Sequence, residues 1–258
     1  MLRPILIALI VLSARTAEAG YGFNDIGYGT QSAGLAGADL AVTSNTFALT
    51  INPAGLKSIE KSRFDFMLEP YYSDVHHQDA YAGTATPDNR LGGSVGAGYA
   101  RRISNRLVAG IGLFVQGGAG NVYKNLQNQF GTSDDLSALF GTVKLAPGLS
   151  WDVTDKLTVG TSIAVLYSSA RQKVFPTTSV DGFSGFRVDG LAGWSGAARV
   201  GALYDITPRW TLAASYSTRS KIRLEGGKVT VNREASAQPN LIYSETSLDG
   251  LNFPQELS

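Results

Sequence analysis

From Leu139 to Val153, apolar and polar residues alternate. The odd positions are Leu139, Gly141, Val143, Leu145, Pro147, Leu149, Trp151 and Val153, and the even ones include Thr142, Lys144, Ser150 and Asp152. A second run starts at Leu157, with Val159, Thr161, Ile163, Val165 and Tyr167 opposed to Thr158, Gly160, Ser162, Ala164 and Ser168; Leu166 alone breaks the polar face. A third starts at Trp210, with Leu212, Ala214, Tyr216, Thr218, Ile222 and Leu224 opposed to Thr211, Ser215, Ser217, Arg219, Lys221, Arg223 and Glu225. A period of two marks a strand with one apolar and one polar face. Carried along the chain, the pattern predicts strands over 62–72, 92–103, 107–116, 139–153, 156–171, 193–206 and 209–231. Long loops are expected over 73–91, 117–138, 172–192 and 232–250, and Leu251–Pro254 reads as the start of an eighth strand.

The short connections share a motif. Ile103-Ser104-Asn105-Arg106-Leu107, Val153-Thr154-Asp155-Lys156-Leu157 and Ile206-Thr207-Pro208-Arg209-Trp210 each run aliphatic, Ser/Thr, turn residue, basic, large apolar. Such a tetrad between alternating runs is a tight turn joining antiparallel strands. Short turns at one end and long loops at the other are the pattern of a transmembrane β-barrel. Trp151, Tyr167, Trp210 and Tyr216 fall near the ends of the apolar faces, where a membrane-interface girdle belongs. The expected fold is therefore all-β, an antiparallel transmembrane barrel of about seven strands. Bacterial barrels carry an even number of strands, so the barrel reads as incomplete.

Composition narrows the function. The 258 residues hold no Cys, two His, 30 Gly and 17% charged residues, with net charge +1. This leaves no case for a nucleic-acid partner, a disulfide scaffold or a thiol-bound metal. No apolar run approaches the roughly 20 residues of a spanning helix. Arg3, the apolar stretch Ile5–Leu12 and Ala17-Glu18-Ala19 form the three parts of a secretory signal peptide over 1–19, with cleavage before Gly20. A chain exported in this way is expected in a bacterial outer membrane.

Residues 20–60 do not alternate. Gly34 to Val42 is small and weakly polar, and Asn52-Pro53-Ala54-Gly55-Leu56 follows, with Asn52 placed to cap a short helical turn and Pro53 pre-set for its first position. Such a segment suits a small helical hatch in the barrel lumen; a periplasmic extension is the alternative. The barrel would then occupy 61–258.

The small-residue run Gly29 to Leu56 with its Asn-Pro-Ala-Gly-Leu motif resembles the N-terminal region of the FadL family of outer-membrane transporters. Arg106 to Gly120, Ser137 to Lys173 and Trp194 to Gly227 are similar to that family's barrel segments. The resemblance implies a fourteen-stranded barrel, a hatch carrying Asn52, Pro53 and Ala54, and passive passage of long-chain fatty acids or aromatic hydrocarbons. It also implies exit sideways through a gap at a kinked third strand. This chain supplies about half of those strands, which makes a complementing barrel half a possible partner beside outer-membrane lipid and lipopolysaccharide.

Gly117, Gly118 and Gly120 end the third predicted strand and are the candidate kink; a flexible loop start is the plainer reading. Lys144, Arg199 and Arg219 fall on polar strand faces and could hold a fatty-acid carboxylate, or could pair with lumen acids instead. Gly92-Gly93-Ser94-Val95-Gly96 matches a nucleophile elbow but opens a strand, away from the required strand-turn-helix context. His76 and His77, between Asp74 and Asp79, read as a solvated loop rather than a metal site. No enzyme, metal or cofactor is expected. The leading reading is a passive channel for hydrophobic molecules, fatty acids first, with an aromatic-hydrocarbon channel or an open porin for polar solutes as rivals.

Overall fold

A computed structural model describes residues 27–258; the signal-peptide reading over 1–19 lies outside them. The N-terminal segment carries helix α1 (Gly29–Gly34) and two 3-10 turns, Thr46–Leu49 and Pro53–Ser58. The strands are β1 (Ser62–Tyr72), β2 (His77–Asp79), β3 (Gly83–Ala85), β4 (Leu91–Ser104), β5 (Leu107–Gln127), β6 (Ser133–Asp152), β7 (Leu157–Val180) and β8 (Phe183–Thr207). They continue as β9 (Trp210–Ser217), β10 (Arg223–Val231), β11 (Leu241–Asp249) and β12 (Glu256–Leu257). Apart from the small hairpin β2–β3, all belong to one antiparallel sheet in the order β1, β4, β5, β6, β7, β8, β10, β11, with β9 beside β8 and β12 beside β9. β9 and β10 thus form one broken line of wall, and β11 and β12 the next.

The wall inverts the usual burial pattern. In β6, Val143, Leu145, Leu149 and Trp151 are exposed while Thr142, Lys144, Ala146 and Ser150 are buried. Ile163, Val165 and Tyr167 of β7 are exposed, and Thr158, Ser162 and Ser168 are buried. Apolar side chains thus cover the outside of a sheet whose polar face is inside, as lipid contact demands. Trp194 and Trp210 are 71% and 70% exposed. The rings of Tyr167 and Trp194, on paired strands, lie 4.9 Å apart.

All three repeated turns close in the same way. The hydroxyls of Ser104, Thr154 and Thr207 accept from the backbone N–H of Arg106, Lys156 and Arg209 at 3.4, 3.2 and 3.3 Å. The hydroxyl mimics a backbone carbonyl two residues back, so Ser or Thr recurs there. Two copies extend the repeat: Thr158 donates to Asp152 at 2.6 Å and Thr211 to Asp205 at 2.7 Å.

The strands run past their expected ends. β5, β6, β7 and β8 extend well into the stretches read as loops 117–138 and 172–192, and β11 lies inside the expected loop 232–250. Beyond the lipid band both faces of a strand meet water, so alternation fades there. The eighth line accordingly starts at Leu241, and Leu251–Pro254 falls in its interruption rather than at its start. The predicted strand 209–231 is broken over residues 218–222.

Candidate functional site

The N-terminal segment sits against the inner face of the wall. Phe47, Leu49, Leu56 and Ile59 are buried with Met67, Val108, Phe114 and Ala146. Asn52 caps its turn as the sequence suggests, accepting from Ala54 N–H at 3.2 Å. Its amide also donates to Leu40 O at 3.1 Å and to Ala202 O, on β8, at 3.3 Å. Ser150 donates to Ala54 O (3.0 Å) and Ser162 to Leu49 O (2.8 Å). Polar wall positions thus meet the orphan carbonyls of the short turns. At Gly160 and Gly201 the approach is too close for any side chain. A Cβ at Gly160 would overlap Pro53 and Ala54, and one at Gly201 would overlap the Asn52 side chain. Asn52, Pro53 and Ala54 therefore lie on a bare patch of β7 and β8.

The exit of this segment is clamped at the short-turn end. Lys57 pairs with Asp205 at 2.7 Å, and Arg102 donates to Ile59 O at 3.0 Å and also to Lys57 O. Arg102 and Asp205 occupy equivalent places in the turn repeat.

A framed window opens between β4 and β5. Their ladder stops at Gly96↔Phe114, although β4 goes on pairing with β1 up to Leu91↔Tyr72 and β5 with β6 up to Gln127↔Ser133. The cause is a bulge. Val115 faces Val143 and Gly117 faces Thr142, so Gln116 is the extra residue and bends β5 away. Gly117 and Gly120 have φ of +150° and +139°. Farther out, the residues before β4 bridge to β5: Asn89 donates to Gly120 O (3.0 Å) and accepts from Val122 N–H (2.8 Å), the Asp88 carboxylate accepts from Lys124 N–H (2.9 Å), and Asp88 N–H donates to Val122 O (2.7 Å). The window encloses about 570 Å³ and is lined by Tyr71, Leu91, Gly92, Val115, Gly117 and Gly118, among others. The three candidate glycines thus lie within β5 along this window, not at a strand end, and the bulged residue itself is Gln116. Tyr28 reaches the same place from inside, its hydroxyl 3.4 Å from Gln116 O and its ring against Phe114 at 5.9 Å.

The candidate cations divide. Lys144 and Arg199 line one inner cavity with Tyr28, Asp39, Thr50 and Glu256, of about 180 Å³. Lys144 is 7% exposed, its ammonium 5.0 Å from the Tyr28 ring centre. Arg199 donates to Ile51 O (3.1 Å) and Ser215 (3.2 Å) and pairs with Glu256 at 3.0 Å. Arg219 does not join them. It is exposed in the break between β9 and β10, where its neighbours Ser220 and Ile222 are the buried residues. The break shifts the alternation, so the face that Arg219 was assigned from sequence is not the one it occupies.

Sequence reading missed Tyr28, Gln116 and Glu256. Only Gln116 had a nearby signal, in the glycines that follow it. In the outer hairpin, backbone N–H of Ala82, the His77 ring at 2.8 Å and backbone N–H of Tyr81 hold the Asp79 carboxyl below its usual range. No three metal-ligating side chains converge among the described residues, and Ser94 is a buried strand residue of β4.

The profile of the outer membrane protein transport family (OMPP1/FadL/TodX) matches residues 9–255. Curated proteins yield no match. Among solved structures, the monoaromatic hydrocarbon channel TodX in a deltaS2S3 mutant form superposes with a TM-score of 0.68 at 20% identity, over 90% of this chain and 64% of that one. The Pseudomonas putida toluene transporter TodX gives 0.63 at 16%, over 91% and 66%. A Pseudomonas aeruginosa FadL homologue gives 0.62 at 16%, over 84% and 56%. The chain thus spans less than two thirds of the length of these structures, and the likeness to them is one of fold.

Proposed function

The chain belongs to the OMPP1/FadL/TodX family of outer membrane transport proteins, and from that premise we propose that it forms a passive channel for neutral hydrophobic molecules, aromatic hydrocarbons foremost. Residues 27–60 act as the hatch, and the window between β4 and β5 is the exit into the bilayer. The observation that carries this reading is the framed gap itself, a wall opening beside exposed Tyr71 and Leu91. A hydrophobic solute leaving there enters lipid without crossing water, the step that costs it most. The protein performs no chemistry on its cargo.

The charge around the inner cavity favours a neutral cargo over a fatty acid. Lys144 and Arg199 are matched by Asp39 and Glu256, so the lining has no formal excess of positive charge for a carboxylate. The fatty-acid reading keeps one support, the buried Lys144 ammonium, and makes Lys144 the carboxylate's partner. Proteoliposomes holding the full-length protein should take up radiolabelled toluene faster than empty ones, and oleate no faster. Accelerated oleate uptake that disappears in Lys144→Met would assign the channel to fatty acids instead.

Outer-membrane lipid and lipopolysaccharide would meet the outer face. β1 and β11 each present one edge without a partner strand among the described residues. Such edges cannot persist in hydrocarbon, so further strands, from the same polypeptide or a complementing half, would pair there. These 258 residues refolded alone in detergent should aggregate; a heat-modifiable monomer would show that the edges find each other.

A further inference from the structure

Cavities lie at two levels on the lumen side of the wall. Farther from the short turns lies an apolar cavity of about 400 Å³, lined by Phe140, Ala170, Val188, Leu191 and Leu248, among others. Nearer the turns lies the space bearing Lys144 and Arg199. The cluster Leu166, Leu191, Ile222, Leu224 and Phe253 packs between them. Leu191 lines the outer space, while Leu166 and Phe253 line the inner one.

This cluster is built by two interrupted wall lines. β8 pairs with β9 up to Arg199↔Ser217 and with β10 from Glu225↔Ala192. In between, Thr218 exchanges two bonds with Ala198, one through its hydroxyl, both 2.9 Å. Ser220 pairs with Phe253 through backbone bonds of 3.0 and 3.1 Å, and Ile222 N–H donates to the Asn252 side chain at 3.0 Å. Backbone groups that left the ladder are therefore met locally. The two lines jog together, and Ile222 and Phe253 are held buried on the lumen side of the wall. Leu166, a large apolar residue between Ser162 and Ser168 on the inner face of β7, is buried in the cluster with them.

We infer that Phe253, with Ile222 and Leu166, forms the sizing element of the channel, an apolar partition that a cargo must displace to pass from the outer space to the inner. This rests on the transport reading above. An apolar constriction discriminates by volume, because one methylene of misfit in an apolar pocket changes passage by roughly tenfold or more. It would also hold back water and ions while yielding to a hydrophobic solute.

The test is the uptake ratio of 1,3,5-trimethylbenzene to toluene in proteoliposomes of the full-length protein, with assembly checked by heat-modifiable migration. Phe253→Ala should raise the ratio about tenfold, and Phe253→Trp should lower it. Phe253→Leu should raise it in the same direction and decides the matter if the alanine variant does not assemble. Wild-type uptake with an unchanged ratio in assembled variants would overturn the partition alone. A wild-type protein that takes up neither probe would overturn the transport reading and the partition with it.

Discussion

Deleting Gln116 in the full-length protein should bring uptake of a hydrophobic probe down to that of membranes without the protein, while the barrel still assembles. Gln116 is the extra residue of the β5 bulge. Without it the register Gly96↔Phe114 can continue, placing Val95 opposite Val115 and Ser94 opposite Gly117. Pairing with β6 becomes continuous as well, since Val115↔Val143 and Gly117↔Thr142 become consecutive. The new ladder is strongly favoured, because each unmet backbone group facing hydrocarbon costs several kcal/mol. Against this stand the contacts of Asp88 and Asn89 with Gly120–Lys124, which are exposed or partly so and net only about 1 kcal/mol apiece. The wall should therefore seal. Normal uptake by a correctly assembled deletion variant would place the exit elsewhere. Replacing Gly118 or Gly120 with Val is a cruder version of this test, since a Cβ at Gly120 would overlap Ala138 O.

Gly160→Leu should turn a tight channel into a leaky one. The hatch rests on Gly160 through Pro53 and Ala54, and no rotamer of leucine avoids an overlap that begins at its Cβ. At this point the segment is held by bonds from Ser150, Ser162 and Asn52 to backbone carbonyls, about 1 kcal/mol each, and it is anchored on either side by the buried Phe47, Leu49 and Leu56 and by the Lys57 and Arg102 clamp. The overlap falls on the backbone of Pro53 and Ala54, so the segment should give way there and pull on its anchors rather than the wall part from its neighbours, where β7 is laddered on both sides. Single-channel conductance in planar bilayers should rise well above wild type, toward that of a variant lacking residues 27–56. Wild-type conductance in both would mean that the segment does not close the lumen.

Much of this architecture can be read from the chain, and the reasons it stops being legible are local. The lipid-facing sets of β6 and β7 follow from alternation because lipid and lumen impose opposite chemistries on successive residues. The turns follow from a repeat because the same hydrogen bond, from a backbone N–H to a Ser or Thr hydroxyl, recurs in each of them. The bulge at Gln116 is invisible as a residue, since any side chain can occupy it, though the glycines beyond it mark a strand that does not pair fully. The break at 218–222 carries no Gly or Pro, so the pattern reads straight through it and puts Arg219 on the wrong face. The pairing of Arg199 with Glu256 joins residues 57 apart in sequence, and nothing local announces it. Leu166 is the opposite case: it breaks the alternation between Ser162 and Ser168, and it is buried in the apolar cluster with Ile222 and Phe253.

The burial pattern of the wall also decides how such a chain can be delivered. Its apolar runs are short and interrupted by polar and small residues, and no described helix is long and apolar enough to cross a membrane. Among the described residues, machinery that recognises a membrane protein by a long spanning helix would find none. The polypeptide can travel through one membrane and across water as though it were destined for secretion. Its affinity for lipid comes into being only when the strands align side by side and sort every second residue onto a common outer surface. Insertion and folding are for this chain the same event.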